Sequence, residues 1–518
     1  MEFSIRKYLR AQYSGSEDSF DVFLKSIGII ALFWLSVLCV YVFPVGIDKL
    51  FFGILMALFW ISKNDYFWFA FFIIISFNPA GFFQESSAED LRRLPLFNII
   101  PRASLSVLDL FLIIAVIKAI SKGRKTRYKD VLGIKNIFIF LIYLLGISII
   151  QGFTIKTFIS QPLRGIFFYT FFFSFPSLVK TRKDTFKFMY MFFPFVFQEL
   201  FAQCYLLYTG EYIQTLFNAD AVMIIFRDKL MYDSIRSIAH GYAIVVMSFV
   251  FSMIVFDSID RMSSKAYLII IMIAASISVL ISATRQTILM FALMFIIYVL
   301  FVTKNKKSFV VQLTMIGLVL FLIFDYMNVL DINYTLSASI NRLTGAVQFQ
   351  NGSIEAEDTL EFRLTERLPI LWEHIKRSLF LGYGFSDEYF QYYDGHLGGI
   401  LIGLLQAGIL GLMVYMAYVV KLYKEVLKYI RIFGQKITLT NTLKSSLVGM
   451  SGFFFLNLFI NPMIVLNFQS RPQEFFILMV LVSQFINFGR VEYMLKRKLK
   501  NGMKSGMKPA LSNETKRS

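Results

Sequence analysis

The chain has 518 residues, of which 57% are hydrophobic and 17% aromatic, with 60 phenylalanines. Soluble domains average about 45–50% apolar residues, and here the excess lies in long runs, which excludes an ordinary soluble domain. The net charge of +18 comes from basic residues in short segments between those runs, at 4–10, 121–130, 179–187, 304–307, 421–436 and 496–500. This distribution is typical of cytoplasmic loops, so it argues against a nucleic-acid partner.

The apolar runs predict an all-α polytopic membrane protein of about 12–14 transmembrane helices. The predicted spans are 27–45, 49–62, 66–78, 105–120, 136–152, 160–178, 187–208, 237–256, 266–282, 286–302, 309–328, 396–420, 443–460 and 474–489. With a cytoplasmic N-terminus, alternation places every basic segment and the C-terminal tail in the cytoplasm.

This topology divides the chain into five parts. They are a cytoplasmic segment 1–26, transmembrane helices over 27–328, one large external loop 329–395, further transmembrane helices over 396–489 and a basic cytoplasmic tail 490–518. The first apolar run begins only at residue 27, after a largely polar segment, so no cleavable signal is expected. Cys39 and Cys204 lie within apolar runs without zinc or redox spacing, so we interpret both as packing residues.

Arg285 lies in ISATRQTILMF (281–291), between two apolar runs. The alternation places 79–104, 209–236, 282–285 and 329–395 outside, so Arg285 is at the outer end of two helices. A charged side chain at the bilayer centre costs about 2.5–3.5 kcal/mol, and an interfacial arginine avoids this cost by snorkelling to water. A structural and a functional arginine are both compatible with this position.

The external loop carries ten acidic and five basic residues, and it contains a predicted helix in EDTLEFRLTERLPILWEHIKRSLFL (357–381). Asp358 and Glu361 form a helix-start signature. Apolar residues at helical spacing follow: Leu364, Leu368, Leu371, Ile375 and Leu379. Pro369 either kinks or restarts this helix. Arg363 and Arg367 share one of its faces, which would let them project toward one ligand.

The predicted helix stops at LGYGF (381–385), where two glycines permit a tight turn. The following DEYFQYYDGH (387–396) is rich in tyrosine and acid. Tyr389, Tyr392 and Tyr393 suit either stacking on sugar rings or an aromatic belt at the membrane interface. His396 opens the next span, and glycines behind it permit close helix packing.

Taken in order, these segments resemble the O-antigen ligase and O-antigen polymerase superfamily of bacterial envelope glycan assembly. ATR (283–285) is similar to its serine-arginine motif, RLTERLPILW (363–372) with LGYG (381–384) to its loop signature, and His396 through GILG (408–411) to its histidine-led helix. ASLSVLDLFLIIAVI (103–117) is similar to an early span of the family. Ser378 stands where the family tends to have proline, and Leu397 where asparagine is usual.

The resemblance implies a GT-C-like fold with a cavity at the outer leaflet and a substrate of oligosaccharide on undecaprenyl diphosphate. Arg285 and Arg363, or Arg367 in its place, would bind the diphosphate, since guanidinium groups bind phosphate bidentately. The distance to Gly382 favours Arg363 as the family arginine. His396 would orient or deprotonate the acceptor hydroxyl, with inversion at the anomeric carbon.

Further residues are secondary candidates for the same outer cavity. These are Arg164 and Arg236, for which a structural role is favoured over a functional one, and His240 beside Arg236. Arginines alone would neutralise the diphosphate, so metal-independent chemistry without a cofactor is expected. A chain-length regulator or other polysaccharide assembly proteins are possible partners beside membrane lipid.

The expected location is the bacterial cytoplasmic (inner) membrane. Polymerase and ligase share this chemistry, and the long tyrosine-rich loop favours a polymerase. A flippase for lipid-linked oligosaccharide and a structural membrane partner are the alternatives of other classes. The unusual charges gather at outer span ends, which favours outer-face chemistry over a transport pathway.

Overall fold

The structure is a computed structural model. It describes residues 19–44, 46–83, 94–100, 103–122, 132, 134–154, 168–209, 213–216, 242–256, 258, 262–282, 285–302, 363–392, 399–434, 439–459 and 474–504.

Within these residues the architecture is helical, with one short hairpin. The helices are α1 (Ser19–Tyr41), α2 (Ile47–Ile61), α3 (Asp65–Ser76), α4 (Val107–Lys122), α5 (Ile134–Gln151), α6 (Phe171–Leu178), α7 (Arg182–Tyr190), α8 (Phe193–Thr209), α9 (Tyr242–Phe256), α10 (Met262–Ile281), α11 (Arg285–Phe301), α12 (Leu368–Arg377), α13 (Asp387–Tyr392), α14 (Gly399–Phe433), α15 (Leu439–Phe459) and α16 (Glu474–Lys504). Strands β1 (Phe97–Ile100) and β2 (Ala103–Leu105) pair antiparallel, in the register Phe97 opposite Leu105.

Five of the described helices are long and apolar enough to cross a membrane, namely α1, α5, α10, α14 and α16. Three shorter apolar helices, α3, α9 and α11, lie among them. This confirms the predicted class, an all-α polytopic membrane protein. The region 303–362, including the predicted span 309–328, lies outside the described residues.

Phenylalanine rings form the core between the N-terminal helices. Phe72 of α3 stacks on Phe111 of α4, with ring centroids 4.2 Å apart. Phe69 packs edge-on against both Phe111 and Phe175, the latter in α6, at 5.2 Å. All of these side chains are buried. Because lipid is as apolar as these rings, close packing and ring geometry, rather than exclusion from water, hold such helices together.

The C-terminal helices pack around α15, which contacts α9, α11, α14 and α16. Gly449 and Gly452 permit this approach. A methyl group on Gly449 would overlap a side chain of α9, and one on Gly452 would overlap a side chain of α11. Small residues at helix interfaces are the usual device for close packing in a membrane.

Segments predicted to be cytoplasmic meet at one end of the bundle. Ser258 hydrogen-bonds Thr442 (2.6 Å), the Leu132 amide donates to Ser483 (3.1 Å), and the amide of Gln484 donates to the Val179 carbonyl (2.8 Å). The contacts agree with the relative sidedness that the basic segments indicate. Which end faces the cytoplasm stays a prediction.

The predicted span 187–208 is two helices rather than one. α7 ends at Tyr190 and α8 begins at Phe193. Pro194 explains the restart, since it has no N–H to donate to the carbonyl of Tyr190 and is tolerated in the first turn of a helix. The predicted span therefore contains a break at Met191 and Phe192 that the apolar pattern did not indicate.

A buried cation ties α4 to the connection between α2 and α3. The ammonium of Lys118, 3% exposed, donates to the carbonyls of Phe59 (2.6 Å) and Ser62 (2.8 Å) and to the Asp65 carboxylate (2.5 Å). Its three donors are thus all used, which is the condition under which a buried charge is tolerated.

We expect Lys118→Met to destabilise the protein by roughly 3–5 kcal/mol, because it removes the buried ammonium group from the Asp65 carboxylate, which is itself only 14% exposed. The melting temperature in detergent measures this loss. Lys122→Met, on the exposed end of the same helix, is the matched control. Equal melting temperatures for the two variants would contradict a stabilising role of Lys118.

Candidate functional site

The predicted helix in the external loop is present from Arg363 and ends at Arg377, earlier than predicted, while its predicted start at 357–362 lies outside the described residues. A π-helical turn covers Arg363–Arg367, and α12 then starts at Leu368 with Pro369 in its first turn. The restart at Pro369 was one of the two expected outcomes. Leu371 and Ile375, from the predicted apolar stripe, are buried. The helix ends at Arg377, before the two glycines.

Gly382 and Gly384 form the tight turn that LGYGF predicts. Their φ angles are +74° and +61°, in the left-handed region that favours glycine. A Cβ on Gly382 would lie 2.5 Å from the carbonyl oxygen of Gln406, and one on Gly384 would lie 2.5 Å from the Ser148 hydroxyl. The backbone of this turn therefore touches α14 on one side and α5 on the other.

The turn fits into a break in α14. Gly408 has φ +62° and ψ −174°, so the helix is interrupted there. Two helical hydrogen bonds, from Ile409 to Leu405 and from Leu410 to Gln406, are replaced by four bonds to the loop. These are Tyr383 N to Leu405 O (2.9 Å), Gly384 N to Gln406 O (2.7 Å), Ile409 N to Leu379 O (2.9 Å) and Leu410 N to Phe380 O (3.1 Å). We call this contact of residues 378–385 with residues 405–410 the loop dock.

Helix α5 completes the loop dock from the side. The Tyr143 hydroxyl shares its proton between the carbonyls of Leu381 (3.0 Å) and Ala407 (2.9 Å). The Phe385 amide donates to Ser148 (2.6 Å). These α5 residues precede its end at Gln151 by up to eight positions, which is about 12 Å of helix. The dock thus lies at the level of the transmembrane helices rather than above them.

Ser378, which stands where the family tends to have proline, has a role in this turn. Its hydroxyl donates to the Gly382 carbonyl (2.8 Å), and its own carbonyl accepts from the Gly382 amide (2.7 Å). The side-chain amide of Gln151 donates to the same hydroxyl (3.2 Å). Hydrogen bonds made by Ser378 thus stabilise the turn, at a position where the family would use the rigid ring of proline.

An aromatic contact joins α12 to α13. The rings of His374 and Tyr392 are stacked, with centroids 3.3 Å apart and an interplanar angle of 19°. The Tyr383 hydroxyl donates to the His374 carbonyl (3.1 Å), and burial raises the pKa of Tyr383, so this donor stays protonated. Sequence reasoning assigned no role to His374.

The structure describes the side chains of some predicted site residues but not of others. Arg367 is half-buried and has an interaction partner, Tyr392 is half-buried in the stack, and Tyr389 is fully buried in the core. Burial gives Tyr389 packing contacts, and a sugar contact for it stays a prediction. For Arg285 and Arg363 the backbone is described, at the start of α11 and of the π-helical turn. Side chains outside the described residues are those of Arg285, Arg363, Arg164, Arg236, His240, Tyr393 and His396.

Sequence reasoning missed a buried carboxyl group in α8. Glu199 of α8 is 1% exposed, and its carboxylate accepts from the Ala80 amide. Ala80 lies in a 3-10 turn, Pro79–Gly81, with a φ of +53°, which is unusual for a residue other than glycine. Buried intramembrane carboxyl groups of this kind commonly mark functional positions.

Gln203, four residues after Glu199, faces α10. Its amide donates to the Ser278 carbonyl (3.1 Å), while its own oxygen and the Ser278 hydroxyl have no hydrogen-bond partner among the residues that the structure describes. Ser278 precedes Arg285 by seven residues, about 10 Å of helix. The polar run Gln198, Glu199 and Gln203 inside an apolar segment was the signal available in the sequence.

Among the described residues, no three His, Cys, Asp or Glu side chains lie close enough to hold a metal ion.

The site belongs to a multi-pass helical membrane protein in which a loop is inserted beside a broken helix. Residues 270–416 match a family model described as O-Antigen ligase. The match confirms the resemblance to the O-antigen ligase and polymerase superfamily, and it spans α10, α11, the loop and the broken part of α14. It supports a function of the O-antigen ligase or polymerase type. No curated protein matches the chain.

We expect Gly384→Ala to disturb the loop dock, because a left-handed alanine costs about 1–2 kcal/mol and its methyl group would displace Ser148. The melting temperature should fall by several degrees, and protease cleavage between α12 and α14 should accelerate. Gly146→Ala, in α5, is the control, since a Cβ there meets nothing within 4 Å. A Gly384 variant as stable as the Gly146 variant would show that the turn tolerates a side chain.

For Glu199 we expect alanine and glutamine to differ. Glu199→Ala removes the side chain that accepts from the buried Ala80 amide, at a cost of about 1–3 kcal/mol, whereas the oxygen of Glu199→Gln still accepts that bond. Melting temperatures of the two variants in detergent test this difference. Identical losses would mean that the hydrogen bond to Ala80 contributes nothing to stability.

Proposed function

We propose that the protein is a membrane glycosyltransferase that polymerises oligosaccharide repeat units carried on undecaprenyl diphosphate, at the outer face of the cytoplasmic membrane. The observation that supports it most is the loop dock. It joins the loop signature, at Gly382 and Gly384, to the helix that follows His396, and both fall inside the segment that matches the O-antigen ligase family.

In this proposal Arg285 and Arg363 bind the diphosphate, with Arg367 beside them. As the bond from the anomeric carbon to the phosphate oxygen breaks, negative charge develops on the leaving undecaprenyl diphosphate. Guanidinium groups fixed in a partly dry cavity stabilise that charge more than they would in water. Arg285 is also the first residue of α11, where the positive end of the helix dipole favours an anion.

His396 is proposed to accept the proton of the attacking hydroxyl, whose oxygen forms the new glycosidic bond with inversion. His396 follows Tyr392 by four residues and precedes Gly399 by three. At about 3.5 Å per residue, it lies within roughly 14 Å of α13 and 10 Å of α14. Both helices are anchored, α13 by the stack on His374 and α14 by the loop dock.

A ligase is the second candidate, because the matching family model is described as O-Antigen ligase. A ligase would use the same groups to pass finished glycan to lipid A–core or another acceptor. The two candidates differ only in the acceptor, so products in the host distinguish them.

We expect Arg285→Ala, Arg363→Ala and His396→Ala each to reduce glycan transfer at least 100-fold, because each removes charge stabilisation or proton transfer. Surface polysaccharide from the host, separated on a gel, gives the measurement. Loss of the long ladder, with single repeats still attached, indicates a polymerase. Loss of all attached repeats, with lipid-linked polymer accumulating, indicates a ligase.

Arg377→Ala is the matched control for the loop arginines, since Arg377 is exposed at the end of α12. It should leave the ladder unchanged. Lysine at Arg285 should restore only part of the activity, because an ammonium group does not bind phosphate bidentately. A normal ladder in all three alanine variants would contradict the proposal.

A further inference from the structure

The end of α14 that is predicted to face the cytoplasm carries a row of exposed cations. Its members, on one face of the helix at intervals of three and four residues, are Lys421, Lys424, Lys428 and Arg431. A shallow groove lies along this row, lined by three of these cations together with Leu427 and Ile432. We call these residues the basic stripe.

The contacts of α14 with α16 show where the basic stripe lies along the membrane normal. Tyr418 contacts Met479 and Tyr429 contacts Arg490, so the two helices run parallel with a constant offset of 61 residues. Gln484 is therefore level with position 423 of α14.

The side-chain amide of Gln484 donates to the carbonyl of Val179 (2.8 Å). Val179 follows the end of α6 and precedes Lys180, so it marks the edge of the apolar zone. Lys424 thus lies at that edge. Arg431 lies seven residues farther, about 10 Å along the helix. From there its long side chain can reach the lipid headgroup layer.

Apolar side chains continue the same helix face into the membrane. Met413 is 59% exposed and Val420 is 47% exposed, and they precede Lys424 by eleven and four residues, which keeps them on its side of the helix. An exposed apolar surface that ends in a row of cations at the membrane edge is complementary to a lipid: the apolar part would contact its acyl chains and the cations its anionic headgroup.

We propose that the basic stripe binds an anionic phospholipid of the adjacent leaflet, with its phosphate among Lys424, Lys428 and Arg431 and its chains along Met413 and Val420. Glu425 forms an ion pair with Lys428 at 3.9 Å, but the Lys428 side chain is 59% exposed and exposed pairs of this kind are weak, so Lys428 stays accessible to a phosphate. The site is at the opposite end of α14 from the loop dock, and it does not depend on the glycosyl-transfer proposal.

The test is native mass spectrometry of the full chain in detergent, titrated with phosphatidylglycerol or phosphatidylcholine. The unaltered protein should prefer phosphatidylglycerol. Each cation at a membrane surface contributes about a factor of five to anionic-lipid binding, so Lys424→Gln/Lys428→Gln should bind it about 30-fold more weakly. Lys424→Arg/Lys428→Arg should retain the preference.

Lys63→Gln/Arg497→Gln is the control, since it removes two exposed cations from the same end of the bundle. Equal loss in this control would attribute binding to net charge and overturn the proposed site. Equal affinity for the two lipids would overturn it as well. Binding of polyglutamate that depends on the two lysines, with lipid binding unchanged, would assign the surface to an acidic protein instead. If the double variant elutes as an aggregate, the single variants Lys424→Gln and Lys428→Gln carry the same comparison.

Discussion

The structure depends on how a broken helix satisfies its backbone within the membrane. Around Gly408 two helical hydrogen bonds are lost, and an unpaired backbone group in hydrocarbon costs several kcal/mol. The loop residues 379–384 replace both bonds with four of their own, and Tyr143 supplies a donor for the Ala407 carbonyl. The break and the loop therefore require each other, since neither has its backbone partners alone.

This dependence explains the glycines in both motifs. Gly382, Gly384 and Gly408 all have positive φ, and a Cβ on Gly382 would meet the backbone of the opposite segment. Backbones this close leave no room for side chains, so the approach fixes the loop relative to α14 with little freedom. A rigid attachment of this kind is what a transfer site needs if groups from distant parts of the chain are to act on one substrate.

Charge is arranged differently at the two ends of α14. Toward the loop dock, the helix presents backbone groups and small residues, and the proposed cationic groups come from other segments. Toward the other end, α14 itself carries the cations, and Lys118 in α4 shows how a buried cation at this end is fully hydrogen-bonded. Glu199 is a buried acid inside an apolar helix, so the interior holds an ionisable group that the pattern of apolar runs did not indicate.

The class, the turn at LGYGF and the resemblance to the O-antigen ligase family could be predicted from the residues alone, because apolar run length, glycine position and motif order are local properties of the chain. The break at Gly408, the docking of residues 378–385 into it and the contact between Glu199 and Ala80 depend on tertiary contacts. Periodicity gave no sign of the break, since residues 405–410 have the composition of an ordinary membrane helix. The partners that make it stable lie more than twenty residues earlier, or in α5, and their hydrogen bonds form only when the chain is folded.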